Sequence, residues 1–131
     1  MNSKFGKILI IDDDRTMSKL LSTLFEIENF TVININPTRF STISDQIEII
    51  QPDIIIMDIH LNGNNGLEIL RNLKLNNITK NSKVIVCSGD NQMEEAIKAG
   101  AEVFFLKPYM PSDLLASIHS LLKTNGEEFV K

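Results

Sequence analysis

Four short apolar runs, each four residues long and each ending at a polar or turn-forming residue, constrain the fold of this chain most strongly. They are ILII at 8–11, IIIM at 54–57, VIVC at 84–87 and VFFL at 103–106. Runs of this length that are rich in β-branched residues predict strands, and their continuous apolar character predicts burial on both faces of a sheet. A fifth segment, TVINI at 31–35, partly alternates and predicts a less covered edge strand.

Amphipathic stretches follow each of these segments and predict five surface helices with one apolar face each. Their apolar residues recur every three or four positions: Met17, Leu20, Leu21, Leu24 and Phe25; Phe40, Ile43, Ile47 and Ile50; Leu67, Leu70 and Leu73; Met93, Ala96 and Ile97; Leu114, Leu115, Ile118, Leu121 and Leu122. Gly66 is predicted to open a helix, Gly100 to close one and Ser112 to cap the last. The fivefold strand–helix alternation predicts an α/β fold with an open parallel sheet between two helical layers.

Length, charge and cysteine content exclude several classes of protein. The 131 residues predict one domain that needs no disulfide or structural metal. A net charge of −4 provides no basic face, so direct binding of nucleic acid is not expected. No apolar stretch approaches the ~18 residues of a membrane span. The single cysteine, Cys87, excludes an internal disulfide and fits a reducing compartment, so we expect a cytoplasmic protein.

Reactive side chains follow four of the five predicted strands. Asp12 and Asp13 follow the first, Asp58 the third, Ser88 the fourth and Lys107 the fifth. Because the carboxyl ends of parallel strands meet at one edge of a sheet, we expect these side chains to converge. Carboxylates that lie close together repel and need a cation, and Mg²⁺ prefers such oxygens together with water and phosphate. A carboxylate can also accept a phosphoryl group, so the sequence predicts magnesium-dependent phosphoryl chemistry.

With these reactive residues in this order along the sequence, the chain resembles the receiver domains of two-component response regulators over about residues 5–123. The similarity rests on the acidic pair after the first strand, on Asp58, on Ser88 and on Lys107-Pro108. It implies a flavodoxin-like, doubly wound (βα)5 sandwich of three layers with strand order 2-1-3-4-5. It also implies a cis peptide bond before Pro108, a geometry that is accessible mainly to proline.

The resemblance implies a role for each residue of the acidic site. Asp58 is expected to be the phosphoacceptor. Asp13 and Asp58 are expected to bind Mg²⁺ directly, together with the backbone carbonyl of His60, while Asp12 binds it through a water molecule. Lys107 is expected to contact the phosphoryl group.

The resemblance also implies a conformational switch and two residues that set the autodephosphorylation rate. Ser88 is expected to bond the phosphoryl group after transfer and to move together with Phe104, which would remodel the face formed by the fourth helix, the fifth strand and the fifth helix. Phe104 has no hydroxyl, so this switch would work by packing alone. His60 and Asp90 lie two positions after Asp58 and Ser88, and we expect them to set the autodephosphorylation rate.

Two departures from the family pattern affect these expectations. The family often has proline where Asn62 stands, which predicts a less rigid turn. The stretch from Ser88 to Gly100 is shorter than the family's by about one helical turn, or 3.6 residues. The fourth helix is therefore predicted to be short, over residues 92–99, and it belongs to the usual signalling face.

The whole interpretation is a single-domain response regulator rather than an enzyme, although it would catalyse its own phosphorylation and autodephosphorylation. Residues 1–123 are expected to form the receiver domain and residues 124–131 a polar tail, with no output domain. The expected phosphodonor is a sensor histidine kinase or a histidine phosphotransfer protein. We expect a monomer or weak dimer that binds neither nucleic acid nor membrane.

The main alternative is a phosphohydrolase of the haloacid dehalogenase type. Residues 12–16 match its Asp-x-Asp-x-Thr motif, and Asp12 would then be the nucleophile. This alternative leaves Asp58 without a role, finds no acidic pair after Lys107 and leaves no room for a cap domain. A pseudo-receiver would lack one of the reactive residues, and a flavin-binding module would have a phosphate loop rich in small residues where this chain is acidic.

Overall fold

A computed structural model describes residues 6–36, 40–61 and 63–123, and it contains the predicted five-stranded parallel sheet. The strands are β1 (Lys7–Ile11), β2 (Thr31–Ile35), β3 (Ile54–Asp58), β4 (Lys83–Ser88) and β5 (Val103–Leu106). They pair in the order β2-β1-β3-β4-β5, and every pairing is parallel. The α/β, doubly wound fold and its strand order are therefore confirmed.

Five helices alternate with these strands. They are α1 (Arg15–Ile27), α2 (Phe40–Ile50), α3 (Gly66–Leu75), α4 (Met93–Ala99) and α5 (Pro111–Lys123). One core cluster joins the sheet to α2, α3 and α4, and a second joins the opposite face to α1 and α5. The molecule thus has the expected three layers. Within the described ranges, no helix is long and apolar enough to cross a membrane.

The central strands owe their burial to neighbours on both sides and helices on both faces. Ile10, Ile56 and Ile85 lie side by side on β1, β3 and β4, and all are buried. The prediction that 103–106 is buried on both faces was wrong. β5 is an edge strand with one neighbour, and its last residue, Leu106, is 47% exposed.

Local signals fix most of the helix ends. Asp14 caps α1 by accepting a hydrogen bond from the Met17 backbone N–H at 3.1 Å. Gly100 ends α4 in the left-handed conformation with φ of 117°, as predicted for glycine. The prediction that Ser112 caps α5 was wrong, because Ser112 lies inside the helix. The helix already begins at Pro111, whose missing N–H leaves no donor to satisfy at that position.

Helix α4 begins one residue later than predicted, since Gln92 precedes it, and it buries a different face. Ala96 and Ala99 contact the core, whereas Met93 and Ile97 are about half exposed. The predicted apolar stripe of α4 was therefore wrong. The two small alanines, three positions apart, form the buried stripe, and the larger residues lie beside it on a more exposed part of the helix surface.

Leu20 of α1 also departs from its predicted stripe, because it is mostly exposed. Some sequence predictions concern parts of the chain outside the described residues. These are the turn at Asn62, the side chain of Phe40 and the tail at 124–131.

Candidate functional site at the carboxyl edge of the sheet

The acidic and basic side chains reach one place because of the alternation of side chains along strands. Ile10 and Ile56 face the core that includes α1 and α5, so Asp12 and Asp58, two positions further on, project toward the same side. Phe105 packs against that same core, and Lys107 follows it by two residues. Parallel pairing of the strands brings the three polar residues together at the carboxyl edge.

Lys107 and Asp58 form the centre of this site. The Lys107 Nζ donates a hydrogen bond to Asp58 Oδ2 at 2.5 Å and lies 3.9 Å from Asp12 Oδ2. Asp58 is only 9% exposed, and its Oδ1 accepts a hydrogen bond from the His60 backbone N–H at 2.9 Å. Both carboxylate oxygens of Asp58 therefore have fixed partners, which orients the group.

Burial and neighbouring charges perturb the ionisation of two of these groups. Burial raises the pKa of Asp12, and the charges of Asp58 and Asp13 add to this, against the lowering effects of the Asp14 N–H and Lys107. Burial lowers the pKa of Lys107, but the hydrogen bond to Asp58 and the charges of Asp12 and Asp58 outweigh it and raise the pKa above 10.5. The ammonium therefore stays charged at neutral pH, whereas the acids repel one another.

The backbone after β3 folds tightly against the end of that strand. Residues His60–Leu61 pair with Asn64–Asn65 in a short antiparallel ladder, and the Gly66 N–H donates to the Ile59 carbonyl at 2.8 Å. A Cβ on Gly66 would lie 2.6 Å from the Asp58 carbonyl oxygen. Glycine is required here because the first turn of α3 lies directly against the backbone of Asp58.

The two residues predicted to time dephosphorylation contact each other at the rim of the site. The Ser88 hydroxyl, fully buried at the end of β4, accepts a hydrogen bond from the Asp90 N–H at 3.1 Å. Asp90 Oδ2 in turn lies 3.4 Å from His60 Nε2, and these side chains are 72% and 65% exposed. The pair therefore links the loop after β3 to the loop after β4.

The remaining predicted residues lie at different distances from this centre. Asp13 is exposed beside Asp12, close enough for its charge to affect that carboxylate. Phe104 is half-buried on the opposite face of the sheet, against the core that includes α2, α3 and α4. The Lys107–Pro108 peptide bond is cis, as predicted.

Sequence reasoning assigned Cys87 only a packing role and did not consider Tyr109. Cys87 is buried in the core with α1 and α5, as predicted. The Tyr109 hydroxyl lies close enough to the Cys87 thiol for each group to affect the pKa of the other. The available sequence signal was the position of an aromatic residue with a polar group two residues after Lys107.

The donor atoms of the site fit Mg²⁺. Within the described residues, no three acidic, histidine or cysteine side chains lie close enough together to hold a metal ion by themselves. Mg²⁺ does not need such a cage, because it keeps several waters and binds through one or two carboxylates. Asp12 and Asp58 supply these oxygens, and the unfavourable burial of the Asp12 charge is the situation that a cation relieves.

Comparisons with known proteins agree with this geometry. The family model for the response regulator receiver domain matches residues 8–119. The chemotaxis protein CheY of Thermotoga maritima is 31% identical over 120 residues, covering 89% of this chain and 98% of that protein. A putative response regulator from Chloroflexus aurantiacus has the same fold, with a TM-score of 0.81, 24% identity, and coverage of 89% and 97%.

A longer relative matches only in part. The phosphate regulon regulator PhoB of Pseudomonas aeruginosa is 26% identical over 91% of this chain, but the chain spans about half, 52%, of that protein. Strands alternate with helices around a parallel sheet, and acidic residues lie at the carboxyl edge of that sheet. Together with these matches, the two features define a class of phosphoryl-signalling proteins. The chain belongs to the response regulator receiver domain family of two-component systems.

Members of this family are signalling domains that are phosphorylated on an aspartate and generally bind Mg²⁺ at that site. Receivers of the CheY type interact with histidine kinases or phosphotransfer proteins. The phosphohydrolase alternative is not favoured, since the whole of the central fold matches the receiver family.

Proposed function

We propose that Asp58 accepts a phosphoryl group from a histidine kinase or a histidine phosphotransfer protein. The observation that carries this proposal is the contact of the Lys107 ammonium with the buried Asp58 carboxylate, beside the second acid Asp12. An isolated acid at a strand end would need no such partner. The arrangement provides an acceptor and a fixed cation in one place, and phosphoryl transfer depends mainly on positioning and on neutralising charge.

In the proposed reaction, a carboxylate oxygen of Asp58 forms a bond to phosphorus. The bond between phosphorus and the donor nitrogen breaks, and the donor histidine leaves with the electron pair. Lys107 remains protonated and moves from the carboxylate to a phosphoryl oxygen. Asp12, Asp13, Asp58 and the His60 carbonyl would hold Mg²⁺, which offsets the charge that repels an incoming phosphate.

We further propose that phosphorylation changes a partner-binding face. Ser88 would bond the phosphoryl group, and Phe104, which is paired with Val86 and packs on the face of the sheet toward α2, α3 and α4, would then repack. The exposed apolar residues Met93, Ile97 and Leu106 support this choice of face, because they lie on α4 and β5 near Phe104. The output would be binding of a protein partner by a monomer or weak dimer.

His60 and Asp90 complete the proposal as residues that set the lifetime of the acyl phosphate. Their mutual contact above the site supports this, because together they flank the approach of water to Asp58. Residues 1–123 would act as one receiver domain. A cytoplasmic location is proposed because the buried Cys87 is a free thiol, as expected in a reducing compartment.

The proposal is tested by incubating the purified protein with acetyl phosphate and Mg²⁺ and measuring its intact mass. One phosphoryl group should be added, stable in acid and labile in alkali, and chelation of Mg²⁺ should prevent its addition. Asp58→Asn should abolish the gain. Asp53→Asn is the matched control, because Asp53 accepts a hydrogen bond from the Lys7 N–H at the opposite edge of the sheet.

Labelling that persists in Asp58→Asn but disappears in Asp12→Asn would refute the proposal and favour the phosphohydrolase alternative. A protein that takes up no phosphoryl group from acetyl phosphate or from any histidine donor would refute both.

A further inference from the structure

The amino end of β4 is bonded twice to Glu102, which lies between α4 and β5. The Val84 carbonyl accepts a hydrogen bond from the Glu102 N–H at 2.9 Å, and the Val84 N–H donates to Glu102 Oε1 at 2.6 Å. In a regular parallel ladder, a backbone carbonyl of the neighbouring strand would accept the second bond. Here the carboxylate accepts it, because the chain has only just left α4, which ends at Gly100 with φ of 117°.

Lys74, in the last turn of α3, binds the same carboxylate. Its Nζ donates to Glu102 Oε2 at 2.9 Å and to the Ser82 carbonyl at 2.8 Å. The side chains of Lys74 and Glu102 are only 19% and 26% exposed, so solvent screens this ion pair less than a surface pair. The lysine stem also lies against Gly100, where an added Cβ would be 2.6 Å from Lys74 Cγ. The carboxyl end of α4 is therefore held to both α3 and β4.

The amino end of α4 has weaker attachments. Gln92 precedes the helix and makes no side-chain capping hydrogen bond. The Met93 N–H donates to Asn91 Oδ1 at 3.4 Å, which is long for such a bond. The loop before the helix starts at Ser88, whose hydroxyl accepts a hydrogen bond from the Asp90 N–H at 3.1 Å. The less firmly held end of α4 is thus the end next to the acidic site.

We propose that the Lys74–Glu102 pair anchors the carboxyl end of α4, so that phosphorylation moves this helix mainly at its amino end, about a pivot at Gly100. A change at Ser88 reaches the loop before α4, while the anchor prevents the helix from shifting as a whole. This inference rests on the proposed function of Asp58 and deepens it, because it states which part of the partner-binding face moves furthest.

The first test compares displacements at the two ends of α4. Spin labels at Glu94→Cys and Lys98→Cys, both exposed positions, would lie about 9 Å and 3 Å from Gly100 along the helix axis, at 1.5 Å per residue. The distance from each label to one at Leu20→Cys, on α1 across the sheet, is measured before and after phosphorylation by acetyl phosphate. The native Cys87 is buried and should not react. A pivot should shift the first distance about three times as much as the second.

Breaking the anchor should remove this difference. In Lys74→Met, which keeps an apolar stem but has no ammonium, the shift at position 98 should rise toward the shift at position 94. Lys80→Met is the matched control, because Lys80 is exposed in the loop after α3, and it should keep the threefold ratio. Asp58→Asn should show no shift at either position.

Amide hydrogen exchange in the unphosphorylated protein tests the anchor without a phosphodonor. Lys74→Met should accelerate exchange at Val84 and Ala101 by about tenfold, because the hydrogen bonds at the carboxyl end of α4 open more often. The Ala96 N–H, which donates to the Gln92 carbonyl at 2.9 Å at the amino end, should change little.

Equal acceleration at Ala96 and Val84 would overturn the inference even if Asp58 is never phosphorylated, because the pair would then stabilise the helix as a whole. Equal shifts at positions 94 and 98 in the phosphorylated protein, or no shift at either, would overturn it while leaving the phosphorylation of Asp58 intact. Absence of phosphorylation in the unaltered protein refutes the proposed function, and the exchange measurement still decides whether the pair anchors α4.

Discussion

The Lys107 ammonium and the Asp58 carboxylate form a hydrogen bond of 2.5 Å although 49 positions separate them in the sequence. Asp58 ends the central strand β3, and Lys107 follows the edge strand β5, with β4 between the two. The contact therefore exists only when three strands are paired in the correct register. It couples the stability of the sheet to the chemistry of its carboxyl edge.

Removing Lys107 should weaken both stability and chemistry. Lys107→Ala leaves the Asp58 carboxylate poorly solvated and without its cation. Since the lysine side chain is 29% exposed, the cost should lie between those of surface and buried pairs, about 1–3 kcal/mol. Urea denaturation measures this cost, and phosphorylation by acetyl phosphate should slow by at least about tenfold.

The exposed Lys80→Ala serves as the control and should change the free energy of unfolding by less than about 0.5 kcal/mol. In the double variant Lys107→Ala/Asp58→Asn, the loss of stability should be smaller than in Lys107→Ala alone. Equal losses would show that the charge of Asp58 does not depend on Lys107.

Gly66 is the next position where a small change should have a large effect. A Cβ at this position would lie 2.6 Å from the Asp58 carbonyl oxygen and 2.9 Å from Ile59 Cα, and these backbone atoms cannot rotate away. Gly66→Ala should therefore destabilise the protein by about 1–3 kcal/mol and slow phosphorylation by displacing Asp58. Gly89→Ala is the control, since its Cβ would meet nothing within 4 Å. Similar stabilities for the two variants would contradict this prediction.

Asp12→Asn should stabilise the protein while impairing its chemistry. Burial raises the pKa of Asp12 above 3.8, so its charge destabilises the folded state at neutral pH, and the neutral amide should gain about 0.5–2 kcal/mol. Because the folded protein holds this proton more tightly than the unfolded chain, the cost is full above the raised pKa. It should vanish as the pH falls below 3.8.

Thermal or urea unfolding from neutral to acidic pH, without Mg²⁺, measures this difference. The exposed Asp13→Asn is the comparison and should change stability little. If the stability gained by Asp12→Asn grew as the pH fell, the destabilisation would not come from burial of the Asp12 charge.

The contact between His60 and Asp90 predicts that their effects on phosphate lifetime are coupled. His60→Ala and Asp90→Ala should each change the half-life of phosphorylated Asp58 by about twofold to tenfold, as expected for groups that are mostly exposed. The double variant should show less than the product of the two changes, because either substitution already breaks the 3.4 Å contact. Glu94→Ala, an exposed acid on α4, should leave the half-life unchanged. Fully independent effects would mean that the contact has no role.

Local sequence patterns were sufficient to predict the strands and the residues that follow them at the acidic edge of the sheet. Apolar runs such as 54–57 are buried on both faces in any parallel sheet, so their strand character and central place follow from side-chain chemistry alone. The same reasoning failed for 103–106, because an apolar run does not show how much of it the neighbouring helix covers. The predicted buried face of α4 was wrong for a related reason. Whether Ala96 or Ile97 is buried depends on how closely the helix approaches the sheet.

The sequence by itself determined that strands and helices alternate and that Asp12, Asp58, Ser88 and Lys107 each follow a strand, because these features depend on residues close together in the chain. Only the tertiary structure decided which of these side chains meet. It brought Lys107 to Asp58, His60 to Asp90 and Tyr109 to Cys87, and it separated Phe104 from them by the thickness of the sheet. Such contacts depend on strand register and on the face to which each side chain points, and these are set by packing across the whole sheet.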